Sequence, residues 1–156
     1  MKNVKQIVAA PCVNTALYIR VACKDDQAVE NQKLFLNGFI TDRPEFRLYD
    51  TYTDNGLAGT NFHRPNFQRL LSDIEAGYIN CVIVKDLARL GRNYIDVAYC
   101  IDQYFAARNV RFIAVTDRLD TGNGDSGMFT MINGLFPLDI GKRIAAQFQP
   151  MAERRN

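Results

Sequence analysis

Thr15-Ala-Leu-Tyr-Ile-Arg-Val21 is a run of apolar, aromatic and β-branched side chains with one arginine near its end, and its length and composition are typical of a buried β-strand. An amphipathic segment follows directly over residues 27–38, and Gly38 is expected to end that helix. A strand that leads at once into a helix is the repeating unit of sheets that are covered by helices. The beginning of the chain therefore predicts an α/β fold.

The same unit recurs along the chain. Residues 46–52 alternate like a half-buried strand, and residues 65–76 carry apolar side chains at helical spacing. The apolar run 81–84 suits a strand that is buried on both faces, and it is followed by an amphipathic segment over 94–107 and another apolar run over 110–115. We therefore predict an open, mostly parallel sheet with helices on both faces, layered as in flavodoxin.

The last part of the chain predicts a long C-terminal helix. Residues 126–148 place their apolar side chains three and four positions apart, and Pro137 should kink or split the helix. Its apolar stripe fits either packing on its own domain or a dimer contact. We divide the chain into an N-terminal extension (1–14), one catalytic-type domain (15–148) and a tail (149–156).

Composition excludes several classes of protein. The chain has 156 residues, four cysteines and a single histidine, and the spacing of these residues suggests neither a zinc site nor a disulfide framework. No apolar run is long enough for a membrane span, and no signal peptide is visible at the start. We expect a cytoplasmic protein with reduced thiols, no metal and no cofactor. The formal net charge of +2 does not by itself indicate a nucleic-acid partner.

Several arginines follow the predicted strands at their carboxyl ends, where open α/β sheets bind their ligands. A guanidinium group matches phosphate with a pair of parallel hydrogen bonds, so an arginine cluster there favours a phosphate-bearing partner. Ion pairing of individual arginines with nearby aspartates is the alternative. The candidates are Arg20, Ala22, Gln32, Asp54, Arg64, Lys85, Arg89 and Arg92.

Five ordered blocks of the chain resemble the catalytic domain of the serine recombinases, the family of resolvases, invertases and large serine integrases. The blocks are Tyr18-Ile-Arg-Val, Glu30-Asn-Gln, Asp54-Asn-Gly-Leu-Ala-Gly-Thr-Asn-Phe-His-Arg-Pro-Asn-Phe, Val82-Ile-Val-Lys-Asp-Leu-Ala-Arg-Leu-Gly-Arg-Asn and Val110-Arg-Phe-Ile-Ala-Val with the later Asp120-Thr121. The loop after Asp54 is most similar to the branch of large integrases and transposon recombinases. The resemblance therefore implies DNA integration or the movement of a mobile element.

This resemblance implies a reaction and a set of site residues. In the family a serine attacks a DNA phosphodiester and forms a 5′-phosphoserine link, and neither a metal nor a cofactor takes part in the chemical step. Arg20, Arg89 and Arg92 would surround the scissile phosphate, because a phosphoryl transition state needs preorganised positive charge. Gln32, Asp54, Arg64, Lys85, Lys142 and Arg143 would support that cluster or contact DNA phosphates.

The chain departs from the family at the nucleophile. The serine position falls on Ala22, whose methyl group cannot attack phosphorus, so the chain is expected not to cleave DNA. Cys23 is next in sequence, but a shift of one residue at a strand end turns the side chain to the opposite face. Two explanations of Ala22 are open, an introduced substitution and natural divergence. The family resemblance places Ala88 where relatives carry Asp or Ser, and this second difference favours divergence.

The resemblance also implies partners. We expect duplex DNA, a homodimer and a tetramer on paired sites, with the family's separate DNA-binding region missing from a chain that ends at Asn156. One alternative is a non-catalytic, recombinase-like partner, or a degenerate protein that only binds DNA or dimerises. Another is a small-molecule binding domain with the same layering, against which the retained arginines argue.

Overall fold

Five strands form one sheet in the computed structural model, which describes residues 12–123. Their order across the sheet is β2-β1-β3-β4-β5. The pairs that join β1 to β2, β1 to β3 and β3 to β4 are parallel, and β5 is antiparallel to β4. The predicted mostly parallel sheet is confirmed. The strands are β1 (Val13–Val21), β2 (Phe46–Asn55), β3 (Cys81–Val84), β4 (Arg111–Ala114) and β5 (Leu119–Asp120).

Four α-helices connect these strands: α1 (Asp26–Thr41), α2 (Pro65–Glu75), α3 (Leu87–Leu90) and α4 (Tyr94–Tyr99), the last of which continues as a π-helical turn, Cys100–Phe105. The prediction that Gly38 ends the first helix is wrong, since the helix continues to Thr41. A glycine inside a helix costs only about 1 kcal/mol, and the buried Leu36 and Val29 hold α1 on the sheet. Helix α3 and strand β5 were not predicted, because elements this short show no periodicity.

Alternation along β1 separates two hydrophobic cores. Ala16 and Tyr18 belong to the core under α2 and α4, whereas Leu17, Ile19 and Val21 belong to the core under α1. Helices therefore cover both faces of the sheet, as predicted. This arrangement brings the carboxyl ends of β1, β2 and β3 to one edge, which is where the predicted site residues converge.

Several predictions concern parts of the chain outside the described residues. These are the long C-terminal helix over 126–148, nearly all of the N-terminal extension, the tail over 149–156, and the basic pair Lys142 and Arg143. Among residues 12–123 no helix has the length and apolar character that a membrane crossing requires. In the same part of the chain no group of His, Cys, Asp and Glu is arranged to hold a metal ion.

Candidate functional site

Arg20 is at the carboxyl end of β1, where its Cα pairs with that of Asp54 on β2. The side chain is almost fully buried, with 3% of the residue exposed. Its guanidinium donates three hydrogen bonds, to the carbonyl oxygens of Ala88 (2.5 Å), Arg89 (3.1 Å) and Leu57 (3.1 Å). Arg20 therefore holds the backbone of the short helix α3 rather than presenting all its donors to solvent.

Arg64, the N-cap residue of α2, also donates hydrogen bonds to the backbone of α3. It is 2% exposed, and it donates to the carbonyl oxygens of Leu90 (2.5 Å) and Arg89 (3.3 Å) and to the hydroxyl of Tyr18 (3.1 Å). The rings of Tyr18, Phe62 and Phe67 surround its guanidinium carbon at 5.0–5.6 Å. The last carbonyl groups of a helix have no hydrogen-bond partners within that helix. In α3 the two buried guanidinium groups are the donors to these carbonyls.

Asp54 acts on this cluster indirectly. Its carboxylate accepts hydrogen bonds from the backbone N–H groups of Asn66 (3.0 Å) and Phe67 (2.9 Å), which fixes the first turn of α2. It also accepts from the Tyr18 hydroxyl at 2.8 Å. Among the described residues no ion pair joins Asp54 to an arginine, so it orients Arg64 through Tyr18 and through the start of α2.

Arg89 and Arg92 differ from the two buried arginines because their side chains reach solvent. The Arg89 side chain is 28% exposed, donates to the carbonyl oxygen of Arg20 at 3.3 Å and lies 3.6 Å from Asp86. Arg92 is exposed, and its backbone N–H donates to the carbonyl oxygen of Gly59 at 2.9 Å. Of the four clustered arginines, these two therefore have guanidinium groups that can meet a ligand at this edge of the sheet.

Positive charge is crowded at this edge. Burial lowers the pKa of Arg20 from its ordinary value, and the neighbouring charges of Arg64, Arg89 and Arg92 lower it further. The Asp54 carboxylate is already occupied by Tyr18 and the start of α2. An anion that binds here would offset the repulsion among the arginines, so the site favours an anion such as phosphate.

The remaining predicted residues fall into two groups. Gln32 on α1 supports the site, because its side-chain amide donates to the carbonyl oxygen of Arg20 at 3.3 Å. Ala22 lies just beyond β1 and is partly exposed. Lys85 is not part of the cluster, since its Nζ lies 5.9 Å from the ring of Phe35 on α1, which covers the other face of the sheet.

Sequence reasoning missed the second role of one tyrosine. The buried strand predicted over residues 15–21 implies a core position for Tyr18, which is fully buried, but its hydroxyl also joins Asp54 to Arg64. The signal in the sequence was a hydroxyl group on a buried strand, because such a group needs a hydrogen-bond partner. Tyr94 begins the predicted amphipathic segment over 94–107, where a tyrosine is expected to pack in the core, but that expectation is wrong, since 61% of it is exposed. Tyr94 lines an open cavity of about 520 Å³ beside α3 together with Asp86, Leu87, Ala88, Gly91, Arg92, Val97, Thr116 and Asp117.

Gly59 permits the close approach of two arginines, and this predicts the effect of a methyl group there. A Cβ atom at position 59 would lie 2.8 Å from Nη2 of Arg20 and 3.1 Å from Cγ of Arg92. We expect Gly59→Ala to lower the free energy of unfolding by about 1–3 kcal/mol in a urea titration, because Arg20 is buried and held by three carbonyls.

Gly38→Ala is the matched control for that substitution. A Cβ atom at position 38 meets nothing within 4 Å, so this variant should be about 0.5–1 kcal/mol more stable than the parent. Equal stability of Gly59→Ala and the parent would contradict the close packing at Gly59.

Comparison with known proteins extends these observations. The family model for the resolvase N-terminal domain matches residues 15–144, which is most of the chain. The crystal structure of the N-terminal catalytic domain of TP901-1 integrase is 29% identical, with a TM-score of 0.71 over 78% of this chain and 94% of that one. The first open reading frame in transposon ISC1904 from Sulfolobus solfataricus P2 is 25% identical, with a TM-score of 0.56 over 69% of each chain.

A likeness of fold alone links the chain to a resolvase family site-specific recombinase from Streptococcus pneumoniae. That protein is 23% identical, with a TM-score of 0.66 over 92% of this chain and 99% of that one. A comparison with curated protein sequences gives no match. The family match spans the sheet, the arginine cluster and the loop that contains Gly59. The chain therefore belongs to the resolvase N-terminal domain family, the catalytic domain of the serine recombinases.

Proposed function

We propose that this chain is a site-specific recombinase domain that binds a DNA backbone phosphate through Arg89 and Arg92 and does not cleave it. The observation that carries the proposal is that two of the four arginines are buried and bind backbone, whereas the other two reach solvent. Arg20 and Arg64 are buried and fix the backbone of α3, whereas Arg89 and Arg92 reach solvent from that fixed backbone. A preorganised pair of guanidinium groups suits the non-bridging oxygens of a phosphodiester.

The absence of cleavage follows from the residue at position 22. A covalent mechanism needs an oxygen or sulfur nucleophile beside the phosphate, and the methyl group of Ala22 carries neither. Arg20, Arg64, Arg89 and Arg92 are nevertheless all present and close together. A cluster of arginines without a nucleophile supports a role in holding intact DNA, either in a homodimer or in a mixed dimer with an active recombinase.

The proposed partners are duplex DNA and further recombinase subunits in the cytoplasm. Contacts to phosphate carry no sequence information, so this domain contributes affinity and register rather than the choice of site. The apolar segment over 126–148 is the proposed dimer contact, and a tetramer on paired DNA sites is the expected assembly. Lys142 and Arg143 in that segment would add phosphate contacts.

The salt dependence of DNA binding tests the proposal. We expect the chain to bind a fluorescent duplex of mixed sequence, with an affinity that falls steeply between about 50 and 200 mM salt. Arg89→Ala and Arg92→Ala should each weaken binding and reduce the slope of log K against log salt by about 1, because each removes one phosphate contact. Fluorescence anisotropy at stepped salt concentrations measures both quantities.

Arg47→Ala is the matched control. Arg47 is an exposed arginine near the amino end of β2, at the opposite edge of the sheet from the site. Its removal lowers the net charge by the same amount, but the slope should stay within about 0.3 of the parent value. The proposal fails if Arg47→Ala and Arg89→Ala change the slope equally, or if the parent chain does not bind the duplex.

A further inference from the structure

The hydroxyl of Tyr18 connects three elements at the buried side of the site. It donates to Oδ2 of Asp54 on β2 at 2.8 Å and accepts from Nη1 of Arg64 at 3.1 Å, at the start of α2. Tyr18 itself is on β1 and is fully buried. Its ring packs edge-on against Phe67, with centroids 5.3 Å apart. The position of this oxygen is therefore set by the sheet and by α2 together.

Arg64 links the Tyr18 hydroxyl to the backbone that carries Arg89 and Arg92. Its other donors go to the carbonyl oxygens of Arg89 and Leu90, which are the last residues of α3. The same backbone carries the Arg89 side chain and leads within two residues to Arg92. A shift of the Arg64 guanidinium would therefore move the backbone from which both phosphate-binding side chains project.

The Tyr18 hydroxyl can keep its hydrogen bonds to Asp54 and Arg64 over the whole working pH range. Burial raises the pKa of Tyr18 well above its ordinary value, and the nearby Asp54 carboxylate raises it further, so the hydroxyl keeps its proton at every working pH. A protonated phenol both donates and accepts. It can thus hold a carboxylate and a guanidinium at once, which a phenylalanine ring of the same shape cannot.

We propose that Tyr18 is a positioning residue that, through Arg64 and the carbonyls of α3, sets the direction of the phosphate-binding Arg89 and Arg92. This inference rests on the proposed function. It gives the tyrosine a task beyond packing, since a residue that only filled the core would need no hydroxyl at this place. Tyr18 touches no ligand in this scheme and acts through Arg64.

The test compares two buried tyrosines in the full chain. Tyr52 on β2 is equally buried, and its hydroxyl donates to Asp73 at 2.5 Å, on the far half of α2. Its ring lies under the surface residue Arg69 and not against the arginine cluster of the site. Tyr18→Phe and Tyr52→Phe each remove one hydrogen bond to a carboxylate, buried for Tyr18 and partly buried for Tyr52, so both variants should unfold at a lower urea concentration. Only Tyr18→Phe should also weaken duplex binding, by about tenfold, while Tyr52→Phe stays within about twofold.

A spectroscopic readout separates positioning from loss of stability. The Nε–Hε resonances of arginines are resolved by NMR, and Tyr18→Phe should move those of Arg64 and Arg89, whereas Tyr52→Phe should leave them in place. In an Arg89→Ala background Tyr18→Phe should cost less affinity than in the parent, because one of the side chains that Tyr18 positions is gone.

The outcomes distinguish this inference from the proposed function. If Arg89→Ala leaves duplex binding unchanged, the proposed function fails and the role of Tyr18 fails with it. If Arg89→Ala weakens binding but Tyr18→Phe does not, the proposed function stands and the role of Tyr18 is overturned. Equal losses of affinity in Tyr18→Phe and Tyr52→Phe, with unmoved arginine resonances, would also overturn it and reduce Tyr18 to a core residue.

Discussion

Arg64→Ala is expected to lower the free energy of unfolding by about 3–5 kcal/mol, the largest effect on stability among the substitutions considered. The substitution removes a side chain that is 2% exposed and leaves a cavity between the rings of Tyr18, Phe62 and Phe67. It also takes the guanidinium donors from the carbonyl of Leu90, and a buried carbonyl without a partner costs about 1–3 kcal/mol. Urea unfolding followed by circular dichroism measures the loss.

Two further variants show which part of Arg64 stabilises the fold. Arg64→Met keeps a long apolar stem and removes only the donors, so its loss should be smaller than that of Arg64→Ala. Arg69→Ala is the control on the same helix. The Arg69 side chain is 45% exposed and pairs with Asp50 at 2.7 Å, and such surface pairs contribute about 0–1 kcal/mol. A loss in Arg64→Ala no greater than that in Arg69→Ala would contradict the role assigned to Arg64.

Ala22→Ser is expected to change the chemistry of the site from no covalent product to a covalent protein–DNA product. Tyr18 and Arg20 occupy alternate positions of β1 on the face that carries the arginine cluster, and Ala22 follows two residues after Arg20, just beyond the end of the strand. A serine hydroxyl there would add the missing nucleophile beside preorganised positive charge. The reaction should be slow, because Ala88, whose carbonyl oxygen accepts from Arg20, supplies no acid or base side chain beside the site.

The measurement uses nicked duplexes with a randomised centre, because cleavage beside a nick releases a short strand and traps the covalent product. A denaturing gel should show protein-linked DNA for Ala22→Ser and none for the parent. Adding Arg89→Ala to Ala22→Ser should remove the product, since the phosphate then loses one of the two cations that are proposed to bind it.

Cys23→Ser is the matched control for this experiment. It introduces the same hydroxyl one residue later, at an exposed position that is one residue further from the end of β1. We expect no covalent product from it. A product in Cys23→Ser, or none in an Ala22→Ser protein that still binds DNA, would refute the assignment of position 22 to the nucleophile.

The order of strands and helices followed from local patterns. A buried strand such as Cys81–Val84 is apolar throughout, and α2 shows a clear apolar stripe, so both could be read from side-chain periodicity alone. The end of α1 could not be read in this way. Gly38 indicates a helix end only because glycine lowers helix stability slightly. This loss is outweighed by the burial of Leu36 and by the packing of Phe39 and Ile40, which follow Gly38 in the helix.

The sequence by itself determined the α/β fold and the edge of the sheet at which the arginines gather, because residues that follow parallel strands meet at the carboxyl ends of those strands. Only the tertiary structure decided which arginines are available to a ligand. Arg20 and Arg64 are buried and donate to the carbonyls of α3, while Arg89 is partly exposed and Arg92 is exposed. An arginine side chain can either hold backbone carbonyls or bind a ligand. Which of the two it does depends on whether folding brings carbonyl oxygens without partners next to it from a distant part of the sequence.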